Sequence, residues 1–432
     1  MLETDTKNLF DEFPAISTTE WENAILKELK GAGYEKKMIW KTSEGFDVKP
    51  FYRNEDLEGN PYVNQQSNRQ SALRGYKTYS NNWEISQEIP VENPVDANKL
   101  ALEALSGGAD SVTFVFRKDK ISGKSTFLKL TDFLKLIENI NLETTTIRFE
   151  SGKKTTALIS LLKEIVKQKK LDSQKLKIIF NYDPIGYLTI KGNYYLNNEN
   201  IFAYSATMLN EVIEQFPNIK LLGINGKYFN NAGATITHEL AYSLAIASEY
   251  LSLLSENGID IKTVANQITF NFGVGSNYFM EIAKLRSARV LWEKLLEAFL
   301  PQNSEIIPMN IHCITTDWNK SRYDHYSNLL RQTTEAMSAI IGGTQSLTVR
   351  PFDAVFGKTG EFSQRLARNL QIILKEEAHL DKVADAAGGS YYIENLTKKI
   401  IAQSWKLFLE IEEKGGYIKA FKDGFIQEKA NC

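Results

Sequence analysis

The sequence predicts an α/β protein: a (β/α)8 TIM barrel carrying an extended N-terminal arm. Three observations point there. Short β-branched runs recur through the last three quarters of the chain at intervals of about 30 to 50 residues, the length of a βαβ unit. Several of these runs are apolar on consecutive positions, as parallel strands covered on both faces must be. Gly, Asn, Asp or Ser follows most of them, so the loops gather on one rim, where such barrels keep their sites. The expected division is residues 1–98 for an N-terminal helix and arm, and 99–432 for the barrel with a C-terminal helix.

Taken in order, the first element is a helix over STTEWENAILKELKG (17–31). Ser17 and Glu20 have capping-box spacing, Trp21, Ile25 and Leu29 recur every fourth residue, and Gly31 stands where a C-terminal glycine belongs. From WKTSEGFDVKPFY (40–52) to about Asn98 the text turns amide-rich and aperiodic, with NPYVNQQSNRQS (60–71) in its middle. That stretch is expected to be an arm wrapping a neighbour or its own domain. Strands are then expected at SVTFVF (111–116), TTIRFE (145–150), KIIFNY (177–182), KLLGIN (220–225), QITFNF (267–272), PMNIHC (308–313), TQSLTV (344–349) and in the VADAAGG region (383–389). The helix NYFMEIAKLRSARVLWEKLLEAF (277–299) carries Phe279, Ile282, Leu285, Trp292, Leu295 and Phe299 at helical spacing, a stripe suited to the barrel wall. SWKLFLEIEEK (404–414) is the last helix.

Composition narrows the function classes. With 43% hydrophobic residues in 432, the chain can bury one large core. Its 51 basic and 53 acidic residues nearly cancel and are dispersed, so there is no electrostatic footprint for nucleic acid or an anionic membrane. Cys313 and Cys432 are far apart and form no CxxC, which fits a reducing compartment, with cytoplasm as the expectation. The opening MLETDTKNLFDEF has no apolar h-region, and no apolar run approaches roughly 18 residues, so neither a signal peptide nor a membrane span is expected.

Signals for metal or nucleophilic chemistry are poor. His238, His312, His325 and His379 share no spacing that would converge on zinc, and each is expected to be packed or at the surface. His312 and Cys313 end a strand and are the better candidates for lining a cleft, yet adjacent strand residues point to opposite faces. GVGSN (273–277) and SGGADS (106–111) match no phosphate-loop pattern; the glycines read either as tight βα turns or as an anion cradle at a helix start. KEIVKQKKLDSQKLK (163–177) reads as a solvated helix face. The stretch LGINGKYFNNAGA (222–234) is different, because a buried strand end there delivers Lys227, Tyr228 and Asn230 toward a cleft.

Longer strings carry a resemblance. NYFMEIAKLRSARVLW, RQTTEAMSAIIGGTQSLTVRPFD (331–353) and SQRLARNLQIILKEEAHLDKVADAAGGSYYIENLT (363–397) resemble the barrel domain of the methylmalonyl-CoA mutase family, adenosylcobalamin-dependent acyl-CoA mutases. WKTSEGFDVKPFY resembles the family's opening arm, so the likeness runs over nearly the whole chain. The resemblance implies a (β/α)8 barrel through which coenzyme A threads, followed in catalytic chains by a flavodoxin-like cobalamin domain.

Within that resemblance the departures are informative. Catalytic members carry a Tyr-His pair in a GYHMQEAGA-like motif, the histidine bonding the thioester carbonyl and the tyrosine shielding the radical. Here GKYFNNAGA puts Lys227 and Tyr228 in those places. A flexible ammonium does not supply the same rigid aromatic wall. Where the family has a substrate-binding glutamine and a downstream arginine, FNYDPIGYLTIKGN (180–193) offers Tyr182 and Gly192, removing a bidentate carboxylate partner. Gln345 matches a substrate-binding position, and NPYVNQQSNRQS replaces the arm that catalytic chains lay over coenzyme A. The cobalt-ligating DxHxxG signature is missing: Ile236, Asn310, Tyr323 and Glu377 stand two residues before the histidines.

The family includes heterodimers whose small subunit is a degenerate copy of the large one, and the sequence is similar to that small subunit. What this implies is a barrel with no catalytic, cofactor-binding or metal residues of its own and without the flavodoxin-like cobalamin-binding domain. Tyr182, Lys227, Tyr228, Asn230, His312 and Gln345 would line a vestigial substrate mouth. The partner would be the large catalytic subunit, which would bind adenosylcobalamin and interconvert methylmalonyl-CoA and succinyl-CoA, with a homodimer possible when the chain is alone. Two other possibilities stay open: an active barrel of a split acyl-CoA mutase using a separate cobalamin-binding protein, and an acyl-CoA-binding regulator without an enzymatic partner.

Overall fold

The computed structural model describes residues 12–62, 72–116, 129–195, 200–301, 304–356 and 359–430. The NQQSNRQS stretch inside the expected arm, the opening eleven residues and Cys432 lie outside the described residues. The chain divides into two compact units, Met1–Arg53 and Asn54–Cys432.

In the first unit the helix Thr18–Glu28 begins as its sequence predicts. The Glu20 amide donates to Ser17 Oγ (3.2 Å), and the Ser17 amide donates back to the Glu20 carboxylate (2.8 Å). Trp21 stacks on Phe51 with ring centroids 5.1 Å apart, and Trp40–Lys41 pairs antiparallel with Asp47–Val48.

The second unit is a closed barrel of eight parallel strands: β1 (Glu84–Pro90), β2 (Ser111–Val115), β3 (Thr146–Glu150), β4 (Ile178–Tyr182), β5 (Lys220–Ile224), β6 (Ile268–Val274), β7 (Ile311–Thr315) and β8 (Ser346–Thr348). Each is hydrogen-bonded to the next, and β8 closes on β1. One principal helix follows each strand: α1 (Pro94–Ser106), α2 (Leu130–Leu136), α3 (Thr155–Lys169), α4 (Ile201–Gln215), α5 (Ile236–Glu256), α6 (Tyr278–Phe299), α7 (Ser327–Ile341) and α8 (Glu361–Glu376). A final long helix, α9 (Tyr391–Glu413), packs on α5 and α6.

One expected strand is corrected and one unexpected strand is added. EISQEIP (84–90), inside the expected arm, is the first barrel strand, whereas residues 383–389 form turns. β1 escapes the apolar-run criterion because Glu84, Ser86 and Glu88 alternate along it. The VADAAGG segment instead fixes α6, whose Arg286 pairs with Asp385 there and with Glu394 (2.6 Å) at the start of α9. The other seven expected strands are present, with PMNIHC displaced to Ile311–Thr315.

The periodicity of two along each strand separates two cores. Outward-facing Phe114, Phe149 and Phe180 stack in a row (5.8 and 5.4 Å), with Phe133 of α2 edge-on to Phe149. Phe270 meets Trp292 of α6 edge-on at 5.2 Å. Of the stripe expected on α6, Ile282, Leu285, Trp292 and Leu295 are buried while Phe279 is half exposed. Burial continues all round α6 from Met280 to Trp292, because α5, α7 and α9 flank it. The inward-facing positions are polar, and they make the candidate site.

Candidate functional site

Asn225 and Gly226 follow β5 and turn the chain into a short helix, Lys227–Asn231. A Cβ at Gly226 would lie 2.8 Å from both the Phe272 ring and Ser243 Oγ, so this approach to β6 and α5 needs glycine. The turn buries Lys227, whose ammonium pairs with the Glu150 carboxylate at the end of β3 and lies 5.9 Å from the Tyr228 ring centroid. Burial pushes the Tyr228 phenol well above its ordinary range, and the nearby Glu150, Asp183 and Glu88 add to that. Tyr228 is therefore a neutral hydrogen-bonding group in a negative setting.

Asn230 faces away from this rim. Its amide donates to Glu239 of α5 (3.1 Å), which also accepts from the Gly273 amide (2.9 Å) and from Lys284 of α6 (2.9 Å). Lys284 also contacts Glu281 (2.6 Å), and Glu281 accepts from the Gly275 amide (2.9 Å). The amides of Gly273 and Gly275 are thus spent on internal carboxylates, which decides for a βα turn over an anion cradle. At SGGADS, the Gly107 and Gly108 amides close α1 by bonding Glu103 and Leu105 carbonyls.

One layer lower, side chains cross the lumen. Arg148 of β3 donates to Ser346 Oγ of β8 (2.9 Å), a strand three places away around the barrel, and to Glu84 of β1 (3.3 Å). His312 shares hydrogen bonds with Ser346 Oγ (2.7 Å) and Thr348 Oγ1 (3.3 Å). Burial next to Arg148 and Lys227 holds its pKa well below the usual imidazole value, so it is neutral. On the opposite wall Asn181 of β4 contacts Asn225 (2.9 Å) and accepts from Asn271 of β6 (3.4 Å) across the intervening β5. That crossing requires Gly223, where a Cβ would stand 1.7 Å from Asn181 Oδ1. Ser86 and Thr113 complete the layer at 3.2 Å. These side chains fill the channel rather than line it.

The six expected mouth residues therefore do not form one mouth. Lys227 and Tyr228 share the upper rim; His312 lies in the filled lumen below; Asn230 turns to α5. Tyr182 is outside the barrel wall, its hydroxyl 3.0 Å from Ser205 of α4, and burial lifts its pKa to about 12. Strand alternation explains this: Asn181, its neighbour, takes the inward position. Gln345 precedes β8 at the lower rim, where it donates to the Met309 carbonyl (2.9 Å) and accepts from the Ile311 amide (3.0 Å). Gly192 ends a helix in the left-handed region at φ +71°. Cys313 faces outward, opposite His312, with burial raising its thiol to about 12.

Sequence reasoning missed Arg148, Glu150, Asn181 and Asn271. The available signal was a charged or amide residue at the alternate position of an otherwise apolar strand, as in TIRFE, IIFNY and TFNF. It also missed Asp183, which caps the next helix, accepting from the Gly186 amide (2.8 Å) and from Tyr250 (2.7 Å).

Comparison with known proteins adds the lineage. The methylmalonyl-CoA mutase family model matches residues 41–431. The chain is 37% identical to a methylmalonyl-CoA mutase small subunit from Porphyromonas gingivalis, over 99% of this chain and 68% of that one. It is 33% identical to the mitochondrial methylmalonyl-CoA mutase of Homo sapiens (94% of this chain, 56% of that one). With a methylmalonyl-CoA mutase large subunit from Streptomyces virginiae the identity is 29% (95% and 58%). The chain thus spans just over two thirds of the first relative's length and less of the other two.

Proposed function

The chain belongs to the methylmalonyl-CoA mutase family, and from that membership we propose that it is the non-catalytic small subunit of a heterodimeric methylmalonyl-CoA mutase. Its large partner would carry out the adenosylcobalamin-dependent interconversion of methylmalonyl-CoA and succinyl-CoA. The observation that carries this proposal is the filled lumen. An acyl-CoA can thread a barrel only along an open axis, and here Arg148 and His312 converge on Ser346 inside the lumen while Asn271 donates to Asn181 on the facing wall. Displacing Arg148 to admit a ligand would strip Glu84 and Ser346 of a charged donor, at about 1.5–3 kcal/mol per charge-assisted bond.

The upper rim supports the same proposal. Where catalytic relatives present tyrosine and histidine, Lys227 is held by Glu150 and Tyr228 is a half-buried phenol whose pKa is raised. The donor set does not fit a cobalt ligand either: His312, the lumen histidine, spends both ring nitrogens on Ser346 and Thr348. The role left to the chain is structural, supporting the catalytic subunit by docking. Among the described residues no helix is long and apolar enough to cross a membrane.

Co-expression with the large mutase subunit of its source, followed by size exclusion, tests the pairing. Co-elution as a stable one-to-one complex is expected. Separate elution, together with turnover by this chain and a free cobalamin-binding protein, would favour the split mutase instead.

A further inference from the structure

Outside the barrel wall, between the C-terminal half of α6 and the segment 301–309 that leads into β7, lies a cavity of about 200 Å³. A buried guanidinium forms its floor, its walls are apolar and its mouth is acidic. We propose that it binds an aliphatic α-amino acid, the carboxylate on Arg289, the side chain against α6, and the ammonium at the mouth. Trp292 in its wall packs on the outward ring of Phe270, so β6 separates this cavity from the polar plug of the lumen. The inference does not depend on the subunit role.

Arg289 is the first argument, with only 2% of its surface exposed. Its Nη1 donates to the Leu73, Leu285 and Gly342 carbonyls (3.3, 3.1 and 2.9 Å) and its Nη2 to that of Gly343, so all four bonds end on the backbone. Among the described residues no carboxylate pairs with it, and its Nε–H has no partner. A buried charge without a counter-ion is unfavourable, and a ligand carboxylate at Nε removes that cost. Gly75 keeps the approach open, since a Cβ there would stand 2.9 Å from Arg289 Nε. Burial lowers the Arg289 pKa to about 10, which leaves it charged at neutral pH.

The distribution of charge is the second argument. Trp292, Leu296, Ile307 and Met309 make buried apolar walls above the guanidinium. Glu293, Glu297 and Glu305 stand at the mouth, the last two exposed. A field running from a buried cation to outer carboxylates aligns a zwitterion along the cavity. A simple carboxylate meets repulsion at the mouth, and a simple amine leaves the guanidinium unanswered. The volume is below the roughly 300–1,000 Å³ of sites for drug-sized ligands, which selects for a molecule of amino-acid size.

Titration of L-leucine into the full chain by calorimetry tests this, and saturable binding at one site is expected. Isocaproate, which lacks the ammonium, and isoamylamine, which lacks the carboxylate, should each bind about tenfold more weakly, the loss of one charge-assisted bond. Arg289→Met should abolish binding, Glu305→Gln should weaken it several-fold, and Glu211→Gln, remote on α4, should leave it unchanged. Absence of saturable binding, equal affinity for isocaproate or isoamylamine, or equal effects of Glu305→Gln and Glu211→Gln would each overturn the inference. If Arg289→Met does not fold, the two glutamate variants and the two leucine analogues decide alone.

Discussion

Replacing Lys284 by methionine should be among the most destabilising single changes in the barrel. Its ammonium is fully buried between Glu239, also fully buried, and Glu281, 3% exposed. It also donates to the Gly273 carbonyl (2.5 Å). Methionine matches the stem's volume, so little packing is lost; what remains is two carboxylates facing each other without a cation. Removing one partner of a buried ion pair costs about 3–5 kcal/mol. Near 60 °C the unfolding entropy is roughly 2.1 cal/mol/K per residue, so a unit of this size should lose about 4–6 °C in Tm. Differential scanning calorimetry at pH 7 reads this directly. A drop below about 1 °C would mean that Lys284 is not the hub holding Gly273, Gly275 and the Lys227–Asn231 turn.

The same cluster makes a pH prediction with a definite sign. Burial, with the Glu239 charge adding to it, raises Glu281 to about 7 despite the Lys284 ammonium. The folded state therefore binds this proton more tightly than the unfolded chain does. The resulting stability is complete below about 4.5 and is lost as pH rises through about 7. Glu281→Gln should flatten that part of the urea-midpoint profile; an unchanged slope would assign it to other groups. Gly223→Ala should cost more than about 2 kcal/mol by urea unfolding, since its Cβ would overlap Asn181 Oδ1 at 1.7 Å. Arg148→Met should cost about 2–4 kcal/mol, the buried bond to Ser346 counting in full and the bond to Glu84 only in part, because Glu84 is 38% exposed and water replaces much of its lost partner. Lys227→Tyr with Tyr228→His should yield a folded chain that, assayed alone with adenosylcobalamin and methylmalonyl-CoA, shows no turnover, since the plug beneath is intact.

Much of the barrel was legible because seven of its strands carry apolar or β-branched runs against a helical layer. β1 was not, since a strand whose inward face is Glu84, Ser86 and Glu88 offers alternation without an apolar run, in text that resembles an arm. The VADAAGG segment misled for the opposite reason: small apolar residues imitate a strand where Gly388 and Gly389 build a turn. At the site, the sequence located the Lys227–Tyr228 turn, because glycine brackets it after a strand. It could not locate the plug, because whether Arg148 reaches Ser346 depends on barrel closure, which brings β3 and β8 across a lumen from nearly two hundred residues apart. Tyr182 was misplaced by a single step of strand alternation. Gln345 was grouped with the other mouth residues because a motif match identifies a position without saying which rim it occupies.

The most direct test of the helper account is turnover of methylmalonyl-CoA with adenosylcobalamin by this chain alone, by the large subunit alone, and by the two together. The account predicts no turnover from this chain in isolation, and turnover in the complex that is abolished by disabling the large subunit's active site. Sustained turnover from the complex after that disabling change would contradict it, because the chemistry would then have to run in a barrel whose lumen Arg148, His312, Asn181 and Asn271 fill.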